Sequence, residues 1–116
     1  MYTFTFLYKC KPGTDIGEIA RWFGEMAVPI YQTIPGVISI EGYKYSPMDN
    51  SEPEYDFIYV EVWDSKEAHD KAEADKIIGM SPDSQVAKTG LYDKMFSVIE
   101  KSFGFYGDQL PQSYHR

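Results

Sequence analysis

The sequence predicts an α+β domain in which a four-stranded antiparallel sheet carries helices on one face, the ferredoxin-like arrangement. Two observations lead to this prediction. Four stretches alternate or are rich in β-branched and aromatic residues, as strands are, and stretches with helical periodicity follow the first and the third of them. The order is therefore β-α-β-β-α-(α)-β, and a chain of 116 residues has the size of one domain.

The N-terminal half predicts the first strand, the long helix and the second strand. Residues 2–10 alternate, with one side formed by Tyr2, Phe4, Phe6, Tyr8 and Cys10. Asp15 is expected to cap the helix, in which apolar residues recur at helical spacing as far as Ile34. Pro29 is expected to kink or end the regular helix near Val28. The second strand is expected over residues 37–45.

The third strand and the second helix are the clearest elements of the chain. Residues 55–63 are β-branched and aromatic without Gly or Pro, as in a central strand. Asp64 is expected to cap the helix that follows, with Glu67 completing a capping box. A short third helix is expected to begin at Ser81-Pro82 and to end at Gly90.

The C-terminal part is expected to divide at residue 102. Residues 94–102 alternate and predict the fourth strand, which completes a domain of residues 1–102. Residues 103–116 show no periodicity and are interpreted as a tail. Because this tail is apolar at Phe103, Phe105, Tyr106 and Leu110, we expect it to pack on a partner subunit.

Both faces of the predicted sheet require cover. On the third strand Ile58, Val60 and Val62 share one face, whereas the other face carries Tyr55, Phe57, Tyr59, Glu61 and Trp63. Helices can cover one face only. A second copy of the chain, packed sheet to sheet, is the simplest cover for the other and would use the excess of aromatic residues.

Composition restricts the partners and the location. The net charge of −7 argues against nucleic acid and anionic membrane surfaces, which require basic patches. No stretch is long enough to span a bilayer, and the alternating N-terminus does not resemble a signal peptide. Cys10 is the only cysteine, so an internal disulfide is impossible. We expect a cytoplasmic protein.

The chain resembles the dimeric α/β-barrel superfamily, and within it the antibiotic-biosynthesis-monooxygenase-like group. The resemblance covers residues 2–102. The matching segments are the opening strand with Lys11-Pro12-Gly13, the first helix ending in Ile34-Pro35-Gly36-Val37, and the run Val60-Glu61-Val62-Trp63-Asp64-Ser65-Lys66-Glu67-Ala68. The resemblance implies a homodimer that forms a central barrel, with a pocket between sheet and helices in each subunit.

The resemblance also implies a range of activities, which include cofactor-free oxidation of aromatic polyketides, haem degradation and isomerisation. Two positions depart from the group. Many members carry a histidine about two turns into the second helix, where this chain has Lys71 and Ala72, with His69 earlier. Haem-degrading members use an asparagine on the first strand, and the only asparagine here is Asn50 in a loop. Haem degradation is therefore not expected.

Glu61 and His69 are the candidate catalytic residues. A carboxylate among aromatic side chains, if shielded from water, has a raised pKa and can act as a general base. The alternative for Glu61 is a structural ion pair or hydrogen bond at a dimer interface. His69 can exchange a proton at the mouth of a pocket, and the alternative is a surface position among charged neighbours.

Aromatic residues are the candidates for the wall of a pocket, as a site for a planar organic molecule requires. They are Trp22, Tyr31, Tyr43, Tyr59, Trp63 and Tyr92. For Trp22 and Tyr31 a core position is the alternative. Two distant histidines and one cysteine give no metal-ligand spacing, and no glycine-rich phosphate loop is present, so neither a metal nor a cofactor is expected.

Two functions follow from these features. The first is a small cofactor-independent enzyme that acts on a hydrophobic or aromatic molecule by oxidation or proton transfer. The second is a non-catalytic dimeric protein that binds a small molecule or serves assembly. A pocket with Glu61 or His69 at its wall favours the first.

Overall fold

The computed structural model describes residues 1–114 and confirms the ferredoxin-like α+β fold. The elements are β1 (Tyr2–Cys10), α1 (Ile16–Gln32), β2 (Val37–Lys44), β3 (Phe57–Trp63), α2 (Lys66–Ala74), α3 (Gln85–Lys88), α4 (Leu91–Val98) and β4 (Ile99–Asp108). The four strands form one sheet in the order β2-β3-β1-β4, and every neighbouring pair is antiparallel. None of the described helices is long and apolar enough to cross a membrane.

The inner face of the sheet, which packs against the helices, is the aromatic one. Tyr8 and Trp63 are almost completely buried there, as are Phe57 and Tyr59. The ring of Phe23 from α1 stacks on Tyr59 with 3.6 Å between centroids. The strand aromatics therefore pack against the chain's own helices, whereas a sheet-to-sheet dimer was expected to use them.

Helix α1 begins as predicted and ends later than predicted. The side chain of Asp15 accepts a hydrogen bond from the backbone N–H of Glu18 at 3.1 Å, which confirms the cap. The helix continues through Pro29 to Gln32, so the expected end near Val28 is wrong. A stripe of buried residues, which extends from Ile19 to Tyr31, holds the helix on the sheet beyond the proline.

The caps of the second and third helices lie at other residues than predicted. Ser65, rather than Asp64, caps α2, because its hydroxyl oxygen accepts from the backbone N–H of Ala68 at 3.0 Å. Helix α3 begins after Ser84 rather than Ser81, and the Ser84 hydroxyl accepts from Ala87 N at 3.0 Å.

The C-terminal part differs most from the prediction. Residues 91–98 form helix α4, which begins after Gly90 in the left-handed conformation (φ 81°), where a strand was expected from residue 94. Strand β4 occupies residues 99–108 and pairs along β1, so residues 103–108 belong to the sheet and not to a tail. Residues 115 and 116 of the expected tail lie outside the described residues.

The outer face of the sheet, which points away from the helices, carries aliphatic and aromatic residues without cover. Phe103 and Phe105 of β4 are 56% and 44% exposed, and their rings lie 5.7 Å apart. Val60 and Val62 of β3 are partly exposed on the same face. That a second copy covers this face stays a prediction.

Candidate functional site

A cavity of about 460 Å³ lies between the inner face of the sheet and the helices. Most of its wall is aromatic or aliphatic, and its ionisable groups are few. The aromatic residues are Phe4, Phe6, Phe23, Tyr31, Tyr59, Tyr92, Phe96 and Tyr106. The carboxyl, imidazole and ammonium groups are those of Glu61, His69, Glu73 and Lys76.

Glu61 is brought to the cavity by the alternation of β3, which places it on the inner face between Tyr59 and Trp63. Its Oε1 accepts a hydrogen bond from the indole Nε1–H of Trp63 at 3.1 Å. Burial raises the pKa of the Glu61 carboxyl, and the hydrogen bond from Trp63 together with the nearby Tyr31 hydroxyl and His69 ring offsets part of this rise. The ionised carboxylate is therefore a stronger base than that of an exposed glutamate.

His69 is buried, with 5% of its surface exposed, although charged residues surround it in sequence. Its ring lies 5.2 Å from Trp63 and 5.4 Å from both Tyr2 and Tyr106. Its Nδ1 is 3.1 Å from Oδ1 of the exposed Asp70. The alternative of a surface histidine is wrong, because this ring lines the cavity on the apolar side of α2.

Three of the six predicted wall residues, Tyr31, Tyr59 and Tyr92, line the cavity. The hydroxyl of the buried Tyr8 donates to the hydroxyl of Tyr59 at 3.1 Å. Burial raises the pKa of Tyr31 and of Tyr92, so both side chains are neutral at physiological pH. These hydroxyl groups provide hydrogen bonding in an otherwise apolar wall.

The other three predicted wall residues lie elsewhere, which corrects the expectation. Tyr43 pairs with Ile58 on the outer face and is 49% exposed, with its hydroxyl hydrogen-bonded to Glu41. Trp22 packs against the core from α1 without reaching the cavity. Trp63 is completely buried beneath the wall and contributes its N–H to Glu61.

The mouth of the cavity is built by residues that the sequence did not indicate. They come from the loop before α3 and from α4, and include Met80, Met95 and Phe96. Met80 is 61% exposed and Phe96 is 43% exposed. Lys76 at the same mouth is held by an ion pair with Asp83. Only tertiary packing brings these segments together, so sequence periodicity carries no signal for them.

Among residues 1–114, no group of three or more His, Cys, Asp or Glu side chains is arranged to hold a metal ion. Of the ionisable groups in the cavity wall, His69 is buried and Glu61 is partly buried.

Comparison with known proteins shows the fold. A DABB family protein with a ferredoxin-like fold from Mesorhizobium loti is 19% identical, with a TM-score of 0.63 over 94% of this chain and 96% of that one. A dimeric ferredoxin-like protein of unknown function from Thermobifida fusca is 10% identical, with a TM-score of 0.63 over 93% and 90%. A variant of SnoaB, a cofactor-independent oxygenase from Streptomyces nogalater, is 16% identical, with a TM-score of 0.59 over 96% and 97%.

No family model and no curated protein matches the sequence. The chain thus shares its architecture, across nearly the whole length, with ferredoxin-like proteins of the DABB and cofactor-independent oxygenase type. At these identities the likeness establishes the fold and leaves the activity to be argued from the cavity.

Proposed function

We propose that the cavity binds a hydrophobic, aromatic small molecule and that Glu61 accepts a proton from it, without a bound cofactor. One observation carries this proposal: a carboxyl group with a raised pKa lies in the wall of an aromatic cavity of about 460 Å³. That volume is within the range of small-molecule sites, roughly 300–1,000 Å³. The same fold is found in a variant of a cofactor-independent oxygenase, so this architecture is compatible with chemistry without a cofactor.

The charges around the cavity favour a ligand that enters uncharged. Two carboxyl groups, of Glu61 and Glu73, line the wall, and the one ammonium group among its described residues, that of Lys76, is paired with Asp83. An anionic ligand would meet like charge from these carboxyl groups, and the Lys76 ammonium is already paired. A neutral phenol, enol or ketone with an acidic C–H avoids this cost.

The first step is transfer of that proton to the Glu61 carboxylate. The electron pair that stays on the ligand is delocalised over its aromatic system and oxygen. Either oxidation by dioxygen or return of the proton to another carbon can follow from this anion. His69 is the second group we assign to proton movement, and with Nδ1 facing Asp70 its Nε2 is the nitrogen left for the ligand.

The functional unit that we propose is a homodimer. The uncovered outer face supports this, since Phe103 and Phe105 add to the apolar residues of β1 and β3 there. A protein of the same fold from Thermobifida fusca is described as dimeric.

A non-catalytic binding protein is the second candidate. The second helix favours it. The resemblance implies a histidine about two turns into this helix, and the chain has Lys71 and Ala72 there instead. Lys71 is exposed and forms an ion pair with Asp75. In such a protein the same cavity would retain a ligand without turnover.

The test is a panel of neutral hydroxylated aromatic ketones, measured for binding by tryptophan fluorescence and for exchange of the acidic ligand proton in D₂O by NMR. We expect Glu61→Gln to reduce exchange by about 10²- to 10⁴-fold, the usual contribution of a general base, while binding is retained. Glu100→Gln, which changes an exposed carboxylate on β4, is the matched control. Undiminished exchange in Glu61→Gln would contradict the assignment of the base, and binding without exchange in the wild type would favour the second candidate.

A further inference from the structure

We propose that Trp63 is a positioning residue that fixes the orientation of both Glu61 and His69 from beneath the cavity wall. This inference rests on the proposed function of Glu61. Trp63 has no exposed surface and does not line the cavity, so it has no contact with a ligand there. Its role is exerted through the two residues that do.

The contact with Glu61 is a hydrogen bond with a defined partner atom. The indole Nε1–H donates to Oε1 at 3.1 Å. An indole nitrogen can only donate, so it favours an oxygen that carries negative charge. One carboxylate oxygen is thereby held, and Oε2 remains for the ligand proton.

The contact with His69 is made by the same ring. The imidazole meets the indole edge-on, with 5.2 Å between centroids and 87° between the planes. Such edge-to-face packing restricts the rotation of the imidazole, whose other side is held by Asp70. Gly36 permits this arrangement, because a Cβ there would lie 2.7 Å from Ala68 Cβ at the start of α2 and 3.7 Å from Trp63 Cε3.

The indole is one of several groups that influence Glu61. Trp63 supplies the hydrogen bond, and Tyr31 of α1 and His69 of α2 lie close enough to lower the pKa of the carboxyl. Burial is the main cause of the raised pKa values of Tyr92 of α4 and Tyr106 of β4, and the nearby Glu61 carboxylate adds to the rise. Among these, only Trp63 combines complete burial with a hydrogen bond and absence from the cavity wall, which makes its effect separable from ligand contact.

The first experiment needs no ligand. The indole ¹⁵N–H resonance of Trp63 is followed in the wild type from about pH 4 to about pH 9, with Trp22→Phe used for assignment, since the chain has two tryptophans. We expect the resonance to titrate together with the ¹³C carboxyl resonance of Glu61 and to lose that titration in Glu61→Gln. If the chemical shift of the indole N–H does not change with the titration of Glu61, the proposal is overturned, whether or not any ligand is found.

The second experiment uses Trp63→Phe, which keeps an aromatic ring and removes the donor. For a ligand that exchanges, we expect the midpoint of the pH–rate profile to rise by about one to two pH units, because the lost hydrogen bond stabilised the charged carboxylate. The rate constant should fall more than ligand affinity. The matched control is Trp22→Phe, because Trp22 lies on α1 and does not line the cavity. This variant should leave the midpoint of the pH–rate profile unchanged.

An unchanged midpoint in folded Trp63→Phe would contradict the positioning role. If the indole titrates with Glu61 but no member of the panel exchanges its proton in the wild type, the coupling is supported and the proposed function is what fails. The two proposals can therefore be separated.

Discussion

The two faces of the sheet differ in what covers them, although the same strands build both. On the inner face, large aromatic side chains such as Trp63 and Tyr8 are buried in the core, and Phe23 and Tyr59 line the cavity. On the outer face, Val60, Phe103 and Phe105 are left partly exposed within one chain. Successive side chains of a strand point to opposite faces, so neighbouring residues lie either in the core or on the outer face.

Within one chain the inner face encloses the candidate site, whereas the outer face keeps apolar residues partly exposed. Stability within one subunit and the chemistry of the cavity should depend on the inner face. Association of subunits should depend on the outer face.

Removing the largest inner-face side chain should cost the most. Trp63→Ala leaves a cavity and is expected to lower the free energy of unfolding by about 3–5 kcal/mol. Phe103→Ala, on the outer face and 56% exposed, should cost less than about 1 kcal/mol in a dilute monomer. Denaturant unfolding of both variants at low protein concentration measures the contrast, and equal losses would contradict it.

A charge at the centre of the outer face should act on association instead. Val60 lies between Thr5 and Glu41 in the neighbouring strands. Val60→Lys is expected to weaken self-association by on the order of 100-fold, since a buried unpaired charge costs several kcal/mol. Sedimentation at micromolar concentration would show this, with Val60→Thr as the control of similar shape. A wild type that is monomeric throughout would contradict the dimer.

Ser84 links the loop at the mouth of the cavity to the start of α3. Ser84 is 1% exposed, and its hydroxyl donates to Gly79 O at 2.7 Å while it caps α3. Ser84→Ala should therefore cost about 1–2 kcal/mol, whereas the exposed Ser102→Ala should stay within about 0.5 kcal/mol. Thermal unfolding measures the pair, and faster hydrogen exchange in residues 76–84 of Ser84→Ala would locate the effect.

The smallest expected effect is on the pH dependence of stability. Because the pKa of Glu61 is higher in the folded protein than in an unfolded chain, the folded state keeps a proton that the unfolded state has released. Its contribution to stability is therefore present below the ordinary value of 4.5 and is lost as pH rises through the raised value. Glu61→Gln should gain stability relative to the wild type over that interval, and a relative loss would contradict the sign.

The fold could be predicted from sequence wherever the pattern extended over many residues. The strands up to residue 63 and the first two helices follow from periodicity. Residues 94–98 alternate over too few positions to distinguish a strand from a helical turn. In the structure they belong to α4, whose first residue, Leu91, is buried in the core. Ser65 and Asp64 are both good caps, and only the backbone geometry chooses between them.

The site could be predicted in part for the same reason. Glu61 and Tyr59 reach the cavity because the alternation of β3 fixes their face, and Tyr43 reaches the opposite face because β2 pairs with β3 in that register. The sequence gives no register between strands. Met80 and Phe96 enter the site through loop and helix placement that no local pattern encodes.

The role of Glu61 is tested by a ¹³C NMR titration of its carboxyl group in the wild-type protein, with the resonance assigned by its absence in Glu61→Gln. We expect this carboxylate, which lies partly buried in the cavity wall, to be a stronger base than an ordinary glutamate. The predicted result is a pKa above the ordinary value of 4.5. A pKa at or below that value would contradict the account of Glu61 as the base.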